Sequence, residues 1–141
     1  MPTKTRGIRI PEELDREIER EAEEKGKSWS AASAELLEEA IRMRRAPGIG
    51  FGEGPSGRRA IVAGAGIDVW EVVAVWQECG QNYDELVQNF EWLSDAQLRS
   101  ALSYYARYPN EIDKRLEREQ QWTKERVRKE LPFSSLEKPG H

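Results

Sequence analysis

The chain has 141 residues, 38% hydrophobic and 34% charged, with a formal net charge of −4. That length allows one domain or two small ones. So few apolar residues exclude one large core and favour a dimer of small modules with a solvated tail. No signal peptide or membrane-spanning apolar run is present, so a cytoplasmic protein without membrane contact is expected. Charge is uneven: ten Lys/Arg face eleven Asp/Glu over residues 1–45, three face seven over 59–108, and eight face seven over 109–141. Lys4, Arg6 and Arg9 cluster near the start. Such a local basic patch matters more for nucleic-acid binding than the total.

Catalytic sets are missing. Cys79 is the only cysteine and His141 the only histidine. No intramolecular disulfide, Cys/His zinc cluster or nucleophile–base pair can be drawn. No glycine-rich loop ends in the lysine that a phosphate site needs. An enzyme, a metal site and a cofactor are therefore not expected. Cys79 lies in an apolar helical pattern and reads as a small buried hydrophobe.

Thr5-Arg6-Gly7-Ile8-Arg9-Ile10 alternates like a strand and stops at Pro11. Ile8 and Ile10 share one face; Thr5, Gly7 and Arg9 share the other. A lone strand leaves its ladder groups unpaired. Nothing nearby offers a second strand, so the expected solution is a second copy, paired antiparallel about a two-fold axis. Pro11 suits the start of a helix, and Glu12 and Glu13 suit its positive end. Leu14, Ile18 and Ala22 then recur at four-residue steps. Gly26 stops this helix and Ser28 caps the next. Trp29, Ala32, Leu36, Leu37, Ala40 and Ile41 share one face of that second helix. The expected dimer core is Ile8, Ile10, Leu14, Ile18, Trp29, Leu36, Leu37 and Ile41.

This stretch resembles the ribbon-helix-helix repressors and antitoxins. The resemblance is carried by the strand ending in Ile10-Pro11, by Glu12-Glu13-Leu14, and by the turn Gly26-Lys27-Ser28-Trp29-Ser30. It implies a homodimer, or a higher oligomer built from it, that reads operator DNA in the major groove. Thr5, Gly7 and Arg9 would face base edges, and Lys4, Ser28, Trp29 and Ser30 would hold phosphates. Gly7 brings no side chain where the family has a polar one, so base reading would rest on Thr5 and Arg9. The alternative is a dimerisation module with no DNA role.

Residues 46–57 hold five glycines and two prolines and read as a linker, in which Ile49 and Phe51 could pack or take a bound peptide. A second domain is expected over 58–113. Arg59–Ala63 reads as a short strand returning at Ile67 through a Gly64-Ala65-Gly66 turn. Asp68 is placed to cap a helix to about Cys79, with Val69, Val72, Val73 and Trp76 inward. Gly80 ends it. Asn82 or Tyr83 opens a short helix burying Leu86, Val87 and Phe90. Ser94 opens a third, with Gln97 at the capping-box position and Leu98, Ala101, Leu102 and Tyr105 inward. Tyr108-Pro109 ends it. The fold class expected is mainly α: a ribbon-helix-helix dimerisation module, a small tri-helical, helix-turn-helix-like domain, and a helical charged tail.

The second domain resembles the VapB-type antitoxin domain, long labelled a domain of unknown function. The sequence keeps Gly64, Ile67, Val69, Leu86, Leu93, Tyr104, Tyr105, Glu111, Ile112 and Asp113, and carries Ala65-Gly66 in place of the usual Thr-Arg pair. The resemblance implies a partner toxin with a PIN-like, metal-dependent ribonuclease fold. The domain's acidity favours protein partners over a second DNA contact through Asp95, Gln97, Arg99 and Ser100.

The tail, residues 114–141, has few apolar residues among many charges and is expected to order on a partner. Trp122, Lys124, Arg126, Arg128 and Phe133 are the expected toxin-binding residues. An arginine among them would pair with the carboxylates of a nuclease site. The bland alternative is a solvated helix. Two functions follow: an antitoxin that neutralises a PIN-like ribonuclease and represses its own operon, or a stand-alone repressor with a C-terminal oligomerisation or sensing domain.

Overall fold

The computed structural model describes residues 2–55 and 57–130. It is mainly helical and divides into two compact units, Met1–Arg45 and Ala46–His141.

The first unit is a helical hairpin, α1 (Glu12–Lys25) and α2 (Trp29–Arg45). Three acids, Glu12, Glu13 and Asp15, occupy the first turn of α1, and Arg42, Arg44 and Arg45 the last turn of α2, matching both helix dipoles. Gly26 ends α1 at φ 64°, a left-handed conformation that glycine adopts without a Cβ penalty. Ile18, Ala22 and Ala32 are the buried residues between the helices. Residues 2–10 have no regular secondary structure in the single chain.

The second unit opens with an antiparallel hairpin, β1 (Ile49–Gly54) and β2 (Gly57–Val62), paired from Ile49↔Val62 to Gly54↔Gly57. Four helices follow: α3 (Val69–Glu78), α4 (Tyr83–Asn89), α5 (Asp95–Arg107) and α6 (Pro109–Glu130). Their core gathers Ile49, Ala60 and Val62 from the hairpin with Val69, Val72, Val73, Leu86, Phe90, Leu93, Leu98, Ala101, Tyr104 and Ile112. Asn82 caps α4 by accepting the Glu85 N–H, and Ser94 and Gln97 form a reciprocal capping box on α5.

Several expectations need correction. Residues 49–54 are a strand and not part of a linker: Ile49 is buried and Phe51 packs edge-on against Tyr104. Apolar residues at every second position need a sheet face, and β2 supplies the partner. Gly48 enters that strand at φ 92°, and a Cβ there would sit 2.6 Å from Ser100 Oγ. β2 pairs mainly with β1, while the expected return strand shrinks to a single bridge, Ile61↔Asp68. Asp68 stands at the N-cap of α3 without a side-chain cap bond. Its carboxylate is instead buried against the Arg59 guanidinium and accepts Trp70 Nε1–H at 3.0 Å. A nearby cation outcompetes a neutral N–H for a buried charge.

On α5 Leu98, Ala101 and Tyr104 are fully buried, while Leu102 and Tyr105, expected inward, are only half-buried. Val87 faces outward, 38% exposed. Cys79 is only half-buried, at the C-cap of α3, and desolvation raises its thiol pKa, as expected of an inert thiol. No boundary falls between 113 and 114, since α6 runs unbroken through it.

Two stability predictions follow from this packing. Asp68→Ala leaves Arg59 without its carboxylate and should cost about 2–3 kcal/mol in urea unfolding. Gly48→Ala should cost about 1–3 kcal/mol, combining left-handed strain with the clash, and Ser100→Ala in the same chain should recover part of that loss.

Candidate nucleic-acid and partner-binding surfaces

In the first unit the expected base-reading residues, Thr5, Gly7 and Arg9, are all exposed, as is Lys4. Nothing lies within 4 Å of a Cβ built on Gly7. Ser28 caps α2: its Oγ accepts the Ala31 N–H at 3.0 Å. The N–H groups of Trp29 and Ser30 lie in the first turn, where a helix offers no internal acceptor and anions are favoured.

The turn between the helices is held by charge. Lys27 Nζ donates to Glu35 at 2.6 Å and Lys25 Nζ at 3.3 Å, and Lys25 also reaches Glu21 at 3.8 Å. The Lys27 hydrogen bond is the main reason the Glu35 carboxyl titrates below its ordinary value, against an opposing effect of burial. This clamp was not read from the sequence, since Lys25, Lys27 and Glu35 meet only once the helices pack.

Of the residues expected in a dimer core, only Ile18 is buried in the single chain, and Ile10 is half-buried. Ile8 is 72% exposed, Leu37 57% and Ile41 52%; Leu14, Trp29 and Leu36 are exposed to a smaller degree. The hairpin thus presents most of its large apolar side chains to its surroundings.

In the second unit a set of polar contacts roots α6. Tyr104 Oη donates to Glu111 at 2.6 Å and Tyr105 Oη to Asp113 at 2.7 Å, with Gln77 donating to Tyr105 Oη at 3.3 Å. The Asp113 bond is the first reason the Tyr105 phenol titrates above its ordinary value, with burial second. The Arg115 guanidinium lies 5.4 Å from the centre of the Trp70 ring, and Trp70 is itself tied to Asp68. Burial, then the charge of Asp68, raises the Glu71 carboxyl above its ordinary range.

Beyond this root α6 is a single helix whose residues 120–130 are all exposed. Trp122 (58% exposed), Lys124, Arg126 and Arg128 lie on it. Phe133 lies outside the described residues. The helix does not bring these expected partner-binding residues together. Lys124 and Arg128 line a shallow groove with Glu117, Gln120, Gln121 and Glu125. Trp122 and Arg126, four residues apart, share a different face. Lys129, which continues the basic run Lys124, Arg126 and Arg128 in sequence, and Arg118, which lies outside that run, belong with that second pair. The signal was helical spacing from Trp122.

Among the described residues no three His, Cys, Asp or Glu side chains gather to hold a metal ion, and no helix is long and apolar enough to cross a membrane. Residues 53–105, spanning most of the hairpin through most of α5, match a protein family described as of unknown function, DUF433. No curated protein and no solved structure matches the chain.

The clamp sets a pH prediction. A depressed Glu35 pKa contributes stability that is complete above the unfolded carboxylate pKa and is lost as pH falls through the lower, folded one. Far-UV circular dichroism should therefore show helix loss beginning below about pH 4. Glu35→Gln should remove the acid-sensitive part and cost no more than about 1 kcal/mol at neutral pH.

Proposed function

We propose that the chain is the antitoxin of a toxin–antitoxin pair. In this reading two copies join through the first unit and hold operator DNA, while the second unit and its long helix bind and block a PIN-like ribonuclease. The observation that carries it is the first unit's apolar surface. Ile8, Leu14, Trp29, Leu36, Leu37 and Ile41 are exposed on a hairpin whose own core is Ile18, Ala22 and Ala32. A second copy would cover that surface and give the segment around Ile8 and Ile10 its missing strand partner. Thr5 and Arg9 would then point away from the core, on the face a major groove receives. Arg9 is the residue on that face able to grip guanine bidentately, and Lys4 and the start of α2 would position the phosphates.

The second unit suits a protein partner better than DNA. Its residues 59–108 carry seven acids against three bases, and phosphate attraction supplies most non-specific affinity for nucleic acid. The exposed Trp122 and the arginines of α6 offer what protein interfaces use as anchors.

The experiment is a pair of measurements on the full chain: anisotropy with labelled DNA from upstream of its own reading frame, and cleavage of RNA by the neighbouring gene's product with and without the chain. Arg9→Ala should weaken DNA binding by about tenfold or more, the scale of one bidentate contact, and leave nuclease inhibition unchanged. Loss of both together would refute the division of labour. DNA binding with no effect on the nuclease would instead identify a stand-alone repressor.

A further inference from the structure

We infer that one face of α6, continued onto α3 by Trp70, is an edge that docks into an acidic groove of a protein partner. The inference rests on the antitoxin reading and specifies its binding face. At roughly 100° per residue around the helix axis, Arg115, Arg118, Arg126 and Lys129 all fall within about 40° of Trp122. Arg118, Trp122, Arg126 and Lys129 are exposed, and Arg115 reaches back over the Trp70 ring at 5.4 Å. The result is a ladder of two tryptophans and four cations running from the body of the unit along the free helix. From Arg118 to Lys129 it spans about 17 Å at 1.5 Å per residue.

From Arg115 onward the helix keeps its acids off this line. Glu119 and Glu130, four residues from Arg115 and Arg126, pair with them at 2.8 and 3.1 Å from the flank. Glu125 lies on the other flank. The opposite face is different in kind: Glu117, Lys124, Glu125 and Arg128 line it with two glutamines. Its charges offset one another. The exposed large apolar side chain near that face is Val127, with no aromatic ring among the groove's lining residues.

Charge complementarity selects the occupant. A line of guanidinium and ammonium groups beside an exposed indole fits carboxylates set around an apolar slot, with Trp122 as the anchor. An extended polyanion such as RNA fits less well. It would meet the net negative charge of residues 59–108, and a broad positive field is what drives such binding. The free half of α6 also has reason to be covered. An isolated helix of this length is marginal in water, and its described internal ion pairs contribute only about 0.3–0.5 kcal/mol each.

The test uses the full chain, the neighbouring gene's nuclease as probe, and calorimetric titration. Arg118→Glu with Arg126→Glu should weaken binding by about 100-fold or more, and Trp122→Ala by about 30-fold or more. Lys124→Glu with Arg128→Glu, on the opposite face, should stay within about threefold. Circular dichroism checks that each variant keeps its helix. Equal losses from both faces, or a larger loss from Lys124 and Arg128, would overturn the assigned face while leaving the antitoxin reading intact. A wild-type chain that does not bind the nuclease would overturn both. Two further outcomes would also overturn it: single-stranded RNA bound through Arg118 and Arg126, or those variants acting by dissociating copies of the chain from one another.

Discussion

A two-helix hairpin cannot enclose its own apolar residues, and that shortfall governs the first unit. Helices bury a stripe against a neighbour. Here α1 and α2 bury Ile18, Ala22 and Ala32, two of them alanines, while Leu37, Ile41 and Ile8 stay more than half exposed. Covering a half-exposed side chain of this size is worth about 1 kcal/mol. Six or more of them outweigh the Lys25–Glu35–Lys27 clamp, which is a partly exposed set of ion pairs. Covering that surface would therefore add more to this unit's stability than its own ion pairs do. If that cover is a second copy, pairing and presentation of Arg9 become one event.

The second unit is built the other way. Its core is closed by hairpin and helices together, and Tyr104 sits where they meet, with its ring against Phe51 and Tyr108 and its hydroxyl on Glu111. A buried tyrosine needs a partner for its hydroxyl, and the first turn of α6 provides it. Tyr105 does the same one residue on, from the rim. The start of α6 is thus fixed by both apolar and polar contacts, through Ile112 and Leu116 as well as the tyrosines. The rest of α6 continues beyond these contacts, with residues 120–130 all exposed.

Local chemistry made much of this readable. Ser94 with Gln97, Asn82, Gly80 and the Tyr108-Pro109 break each act within one turn of helix, so spacing alone locates them. The misreadings arose where composition masked period or where a distant residue intervened. Glycines at every second position made residues 46–57 look like a flexible linker, although Ile49 and Phe51 keep the two-residue period of a strand. Asp68 had the position of a cap, yet Arg59, nine residues earlier, claims its carboxylate. Tyr104 and Tyr105 are neighbours in sequence, and only packing against the hairpin decides which one is buried. On α6, Lys124, Arg126 and Arg128 form a tight run in sequence, but a spacing of two turns side chains away from each other on a helix. The relevant grouping jumps from Arg118 to Trp122 to Arg126 to Lys129.

The claim that bears most weight is that the first unit is completed by a second copy. Sedimentation equilibrium of the full chain at micromolar concentration measures this directly. A mass near twice 16.2 kDa, falling towards the monomer only as helical signal falls, is the expected result. A single 16.2 kDa species with its helix content intact would contradict it.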